Sequence, residues 1–171
     1  MRIFALLFCL ACGGLDLDRA RKSGFFDPEK WLVGSKAGYG VALDRNGNPV
    51  ATFFIERECR VVATNEGECR DNPSGFVGAA ERTLSYRLEY LDNLDVEVRL
   101  KQSSSEEVRG LVYGNQMVLS GKQKIIGSEK LTDVAVHFQR LHGPGEPVLQ
   151  KETYRYLGLE AGKVEIFWLN R

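Results

Sequence analysis

Histidine is nearly missing from this chain: His137 and His142 are the only two among 171 residues. Chemistry that depends on several imidazoles is largely excluded by that scarcity. The pair could join Glu146 as a weak zinc or copper site, but the spacing fits two unrelated surface residues better. Charge excess is missing as well, since 23 Lys and Arg balance 23 Asp and Glu. A nucleic-acid partner is therefore not expected, because phosphate neutralisation needs a basic surplus or a basic face. The short cluster Arg19-Ala20-Arg21-Lys22 follows Asp16 and Asp18 and reads as a solvated leash. No Gly-rich phosphate loop occurs, and no Gly-x-Ser-x-Gly accompanies His142-Gly143-Pro144-Gly145, which leaves nucleotide and serine-hydrolase chemistry without a motif. Carboxylates are plentiful, at Glu56, Glu58, Glu89, Glu97, Glu152 and Glu165 among others. Most of them alternate outward on predicted strands, as solvated faces do, instead of forming a glycosidase pair. No catalytic residue, cofactor or metal is assigned.

Long apolar runs are also absent. Residues 3–11 form an apolar stretch far short of the roughly 20 residues that span a bilayer, yet of the length of a signal-peptide core. Leu10-Ala11-Cys12-Gly13-Gly14 resembles the lipobox of bacterial lipoproteins, with Cys9 at the position where leucine is usual. The resemblance implies cleavage after residue 11, acylation of Cys12, and a lipid-anchored place in the bacterial cell envelope, on an outer membrane, its periplasmic side or the cell surface. The competing reading is an uncleaved first element of a cytosolic protein. On the lipoprotein reading, residues 1–11 are signal, residues 12–24 the acylated cysteine and a flexible tether, and residues 25–171 a single domain.

Four cysteines are few, and that reading, with Cys9 removed and Cys12 reserved for lipid, leaves just Cys59 and Cys69 able to pair in the mature chain. An oxidising compartment permits their pairing, and Asn65-Glu66-Gly67 supplies a turn between them. Two free thiols are the alternative in a cytosolic setting, whereas Cys-x9-Cys without a nearby histidine gives poor support for zinc.

What the chain has in abundance is β-strand punctuation. Asp27-Pro28-Glu29 predicts one helical turn, with Asp27 as cap and Pro28 at the first helical position; no useful helical periodicity follows Lys30. Asp44-Arg45-Asn46-Gly47-Asn48-Pro49 joins two strands. Leu84, Tyr86, Leu88 and Tyr90 alternate with polar residues, as do Leu94, Val96, Val98 and Leu100, so each run has a wet face and a dry face. A three-residue loop ending at Asn93 would oppose Tyr90 to Leu94, Leu88 to Val96 and Tyr86 to Val98, with Arg87 facing Glu97. Gly114-Asn115 marks a further hairpin, residues 103–107 and 142–147 read as loops, and strands are expected near 134–138, 153–157 and 163–169. The fold class is all-β: an antiparallel up-and-down barrel or barrel-like sandwich of about eight to ten strands. In architecture alone it is similar to the lipocalins, and no ligand or residue role carries over.

Aromatic side chains offer the best binding candidates. Tyr86, Tyr90, Tyr113, Tyr154, Tyr156 and Trp168 fall on predicted strands, where inward tyrosines would line a small-molecule pocket and outward ones a partner-binding patch. The expected function is a non-enzymatic envelope lipoprotein that binds a protein or cell-wall partner. A lipocalin-like carrier of a small lipophilic ligand is the alternative, and an envelope hydrolase a distant one.

Overall fold

The computed structural model describes residues 26–76, 81–91, 96–103, 105–124 and 130–170. Cys12, the tether, the turn residue Asn93 and Leu94 lie outside them. Ten antiparallel strands close on themselves: β1 (Gly34–Leu43), β2 (Pro49–Ala63), β3 (Glu66–Ser74), β4 (Arg82–Tyr90), β5 (Val96–Lys101), β6 (Glu107–Tyr113), β7 (Gln116–Lys124), β8 (Leu131–Arg140), β9 (Val148–Tyr156) and β10 (Leu159–Asn170). Each pairs with its neighbours in sequence, and β10 returns to β1, so the sheet is an up-and-down barrel without a free edge. A barrel, and not a sandwich, is the outcome because every connection is a hairpin.

The turns use the residues that turn geometry demands. In the β1–β2 connection the Asp44 carboxylate accepts the backbone N–H groups of Asn46 and Asn48 at 2.8 and 2.9 Å, and Gly47 takes a φ of 84°. Asn65 holds the left-handed position of the β2–β3 turn, at φ 61°. Strand alternation then divides each strand between the two faces: Phe53 and Ile55, Val98 and Leu100, Val134, Val136 and Phe138, and Ile166 and Trp168 point in and are buried.

One expected register is corrected. Tyr90 opposes Val96, Leu88 opposes Val98 and Tyr86 opposes Leu100, a shift of two residues that lengthens the β4–β5 connection. A shift of two preserves side-chain parity, so dry still meets dry, and the alternation could not tell the two registers apart. The wet face changes partners. Glu89 now opposes Glu97 and Arg87 opposes Arg99, and the like charges are relieved by Arg99, which reaches Glu97 along its own strand at 3.2 Å and Glu89 diagonally at 3.5 Å.

A short plug closes one end of the barrel. Helix α1 (Pro28–Trp31) starts as expected, with the Asp27 side chain accepting the Lys30 N–H at 3.2 Å and Pro28 in the first turn. Four residues cannot hold a helix alone; packing holds this one. Phe26, Trp31 and Leu32 are buried, and the Trp31 ring meets Trp168 at 5.9 Å and Phe138 at 6.2 Å. Burial of each such side chain is worth roughly 1.5–3 kcal/mol. The rim is tied by Phe26 N–H to the Gly114 carbonyl at 2.7 Å, by Lys30 to Glu146 at 2.6 Å, and by the Tyr90 hydroxyl to Glu29.

Candidate functional site

The six aromatic candidates separate into two groups. Tyr86, Tyr154 and Trp168 are core residues, whereas Tyr90, Tyr113 and Tyr156 are exposed and lie at the barrel's ends, too scattered to form one surface. Tyr90 and Tyr113 are near the plug, and Tyr156 lies beside the opposite β9–β10 turn, where Lys130 sits 3.6 Å from its ring centre.

Among the described residues, one shared aromatic surface is not singled out by the strand pattern. Phe54, Tyr39, Phe167 and Leu149 are successive cross-strand neighbours on the outside of β2, β1, β10 and β9. Tyr39 is 73% exposed, Phe167 42% and Leu169 46%; the Tyr39 and Phe54 rings meet edge to face at 5.4 Å. Ala37 opposes Leu169 one step along, and Val41 lies one step the other way. The strip is bounded by Glu56 on β2 and by the Lys151–Glu165 pair, 3.4 Å apart, across β9 and β10. The physical reason it faces out is on the other side of β1. Gly38 and Gly40 face in, because the Trp168 and Phe53 side chains occupy the space a side chain would need: an added Cβ would come within 2.8 Å of Trp168 and 2.2 Å of Phe53. Parity then forces Tyr39 outward.

Inside, the barrel holds charges that the sequence reading missed. Lys36, Arg57, Asp71 and Arg82 are register partners on β1, β2, β3 and β4 and form one continuous ladder row. Arg57 grips Asp71 through Nε at 2.6 Å and Nη2 at 2.8 Å, and Arg82 Nε reaches the same carboxylate at 2.9 Å. Burial works to raise the Asp71 pKa, but the two guanidinium charges and their hydrogen bonds outweigh it and bring the group from 3.8 to about 2. Glu152, which faces in and not out, accepts Gln150 Nε2 at 2.6 Å and the Tyr154 hydroxyl, while Trp168 Nε1 donates to Gln150 Oε1 at 2.8 Å. Burial, then the Glu152 charge, raises Tyr154 well above its usual range.

Cys59 and Cys69 are directly opposed on β2 and β3 and form a disulfide with an S–S distance of 2.07 Å. It also carries a positional signal. Arg57 lies two residues before Cys59 and Asp71 two after Cys69, so in an antiparallel pair the cysteine match alone sets Arg57 opposite Asp71. His137 faces outward and pairs with Gln116 at 2.8 Å, while Glu146 is taken by Lys30 and Arg140. Among the described residues no three metal-binding side chains converge. A depression of about 450 Å³ on the outer wall is lined by Ser35, Glu58, Arg60, Glu68, Arg70 and Thr83. Its arginines are already paired, Arg60 with Glu68 at 2.9 Å and Arg70 with Glu81 at 3.2 Å.

Comparison with protein-family models, with curated proteins and with solved structures yields no match to this chain.

Proposed function

We propose that this protein is a non-enzymatic lipoprotein of the bacterial cell envelope, held to a membrane through Cys12, whose barrel binds a protein or cell-envelope partner on the outer face of β9, β10, β1 and β2. The observation that carries the reading is the outward strip of exposed Tyr39, Phe167 and Leu169 with half-buried Phe54, an apolar surface of the kind that soluble proteins reserve for contacts. Tyrosine and phenylalanine on strands also suit such a contact, since they give a large area at little rotamer cost. Within the barrel Arg57 and Arg82 are engaged by Asp71, and Glu152 by Gln150 and Tyr154, which accounts for these four groups without a reaction.

Photocrosslinking in cells tests the face. A crosslinker at position 39 or 167 should give a discrete adduct, and one at Lys122 on the far wall should not. Tyr39→Ser with Phe167→Ser should abolish adducts formed from position 54, while melting within a few degrees of wild type. Equal adducts from both walls, or none from either, would overturn the surface assignment. Lipid labelling of wild type against Cys12→Ser tests the anchor separately; equal labelling, or none, would remove it.

A further inference from the structure

At the pole opposite the plug, the β9–β10 hairpin ends in an apolar tip. Tyr156 and Leu159 close it, so the loop is the two residues Leu157 and Gly158, with φ of 52° and 79°. Both are left-handed, a conformation that suits asparagine and glycine and does not suit leucine. The chain nevertheless sets a leucine there and leaves it 84% exposed, beside Leu159 at 75%. Neither the turn nor the solvent favours that choice. Tyr156 and, at the adjoining end of β8, Leu131 enlarge the exposed apolar area. On the strand ends around the tip, residues 122–124, 130–133 and 155–163, the cations Lys122, Lys124, Lys130, Arg155 and Lys163 outnumber the carboxylates Asp133 and Glu160. Arg45 and Asp44 of the neighbouring β1–β2 turn cancel. Glu160 is drawn to Lys163 at 3.0 Å and Asp133 to Lys122 at 3.7 Å. Just below the tip, the outer wall has a recess of about 330 Å³ lined by Ser120, Lys122, Asp133, Ala135 and Arg155.

Protruding leucines ringed by a surplus of cations match one kind of surface, a bilayer with anionic head groups, whose acyl chains accept the leucines and whose phosphates attract the cations. A protein partner would require more area than one hairpin tip presents. We propose that the tip inserts Leu157 and Leu159 into the face of an anionic lipid bilayer, with Tyr156 among the head groups and Lys130 and Arg155 against their phosphates. Tyrosine suits that level, since its ring is apolar and its hydroxyl polar. Lys130 lies 3.6 Å from the Tyr156 ring centre, so cation and ring reach the same depth. The recess beside Arg155 is open to a head-group phosphate, its carboxylate being turned to Lys122. A strained leucine in water becomes an inserted one in lipid, where leaving water offsets the strain. This contact rests neither on Cys12 nor on the aromatic strip. A lipid bound at this pole adds no second chain, which tells it apart from a protein partner on the strip.

The test uses full-length Cys12→Ser protein, so that no acyl chain contributes, with Leu159→Trp as a local probe. It is titrated with brominated vesicles of phosphatidylcholine and phosphatidylglycerol in a three-to-one ratio, and with brominated phosphatidylcholine alone. The added indole should shift to the blue and be quenched by the anionic vesicles, whereas Trp31 and Trp168, buried in the parent protein, should be unaffected. Vesicles without phosphatidylglycerol should require about tenfold more lipid or more. Adding Leu157→Asn should raise the lipid needed by about tenfold or more, without lowering the melting temperature, because asparagine fits the left-handed turn. Lys130→Gln with Arg155→Gln should remove the preference for anionic lipid. Residues 3–11 are common to all these variants, so differences among them belong to the tip. An indole that no vesicle quenches, equal quenching by both kinds of vesicle, or a Leu157→Asn protein quenched like its parent would overturn the proposal. So would a lipid-free dimer that Leu157→Asn disperses, which would assign the tip to a second copy of the chain.

Discussion

Asp71→Asn is the substitution to which the barrel should respond most strongly. The carboxylate is fully buried and is the shared partner of Arg57 and Arg82. Its folded-state pKa of about 2, against 3.8 for the unperturbed group, corresponds to roughly 2–3 kcal/mol of stability from ionisation alone. The sign follows from the direction. A lowered carboxylate pKa stabilises the fold above the unfolded value, and this contribution fades as pH falls from about 4 to 2. Removing the charge also leaves two buried guanidiniums without their counter-ion, and breaking such a pair typically costs about 3–5 kcal/mol. Against a total of roughly 5–15 kcal/mol, that is a large fraction. Urea denaturation at pH 7 should show a loss in this range. Repeated from pH 5 to pH 2, the same measurement should show a flatter acid limb in Asp71→Asn than in wild type. A loss under about 1 kcal/mol, or parallel acid limbs, would refute the claim that the ladder row is held by this carboxylate.

Other consequences can be measured in the same way. Thiol titration of the unfolded protein should find neither Cys59 nor Cys69 reactive, and Cys59→Ala with Cys69→Ala should cost about 2–3 kcal/mol on the chain-entropy account of a ten-residue separation. Gly40→Ala sets a methyl group against the Phe53 ring and should cost roughly 1–3 kcal/mol, with partial recovery when Phe53→Leu is added. Lys36 has a folded-state pKa below its ordinary value, so its protonation opposes the fold. Wild-type stability should therefore gain, relative to Lys36→Met, as pH rises from about 8 to 10.5, and parallel profiles would refute it.

Much of the barrel was legible because alternation, turn residues and an N-terminal cap each leave local marks. Asp44 and Gly47 announce a hairpin, Asp27 and Pro28 a helical turn, and the apolar run at Ile166 to Leu169 divides as strand parity requires, with Ile166 and Trp168 in and Phe167 and Leu169 out. Register was less legible. Parity repeats every two residues, so Leu88 fits opposite Val96 or Val98 equally well until the loop length is known. The interior charges were missed because β1 inverts the usual rule. Its inward positions are Lys36, Gly38 and Gly40, and its bulky ones, Tyr39 and Val41, face out, which makes the core side look like the wet side. The disulfide could have corrected this on the next strand, since matching Cys59 to Cys69 already opposes Arg57 to Asp71. No local pattern marks Trp31 Nε1 as a donor without an acceptor; that depends on what β8 and β10 bring to it.

The seam of the barrel joins its first strand to its last. Gly34–Leu43 completes its hydrogen bonds only with Leu159–Asn170, residues made more than a hundred positions later. A chain that appears N-terminus first, from a ribosome or a secretion channel, therefore carries two open strand edges until β10 arrives. Those edges are liable to pair with other chains, and the long-range closure itself is slow. The plug has to wait as well. Trp31 packs against Trp168 of β10, so the plug, made before any strand, is the last to find its seat.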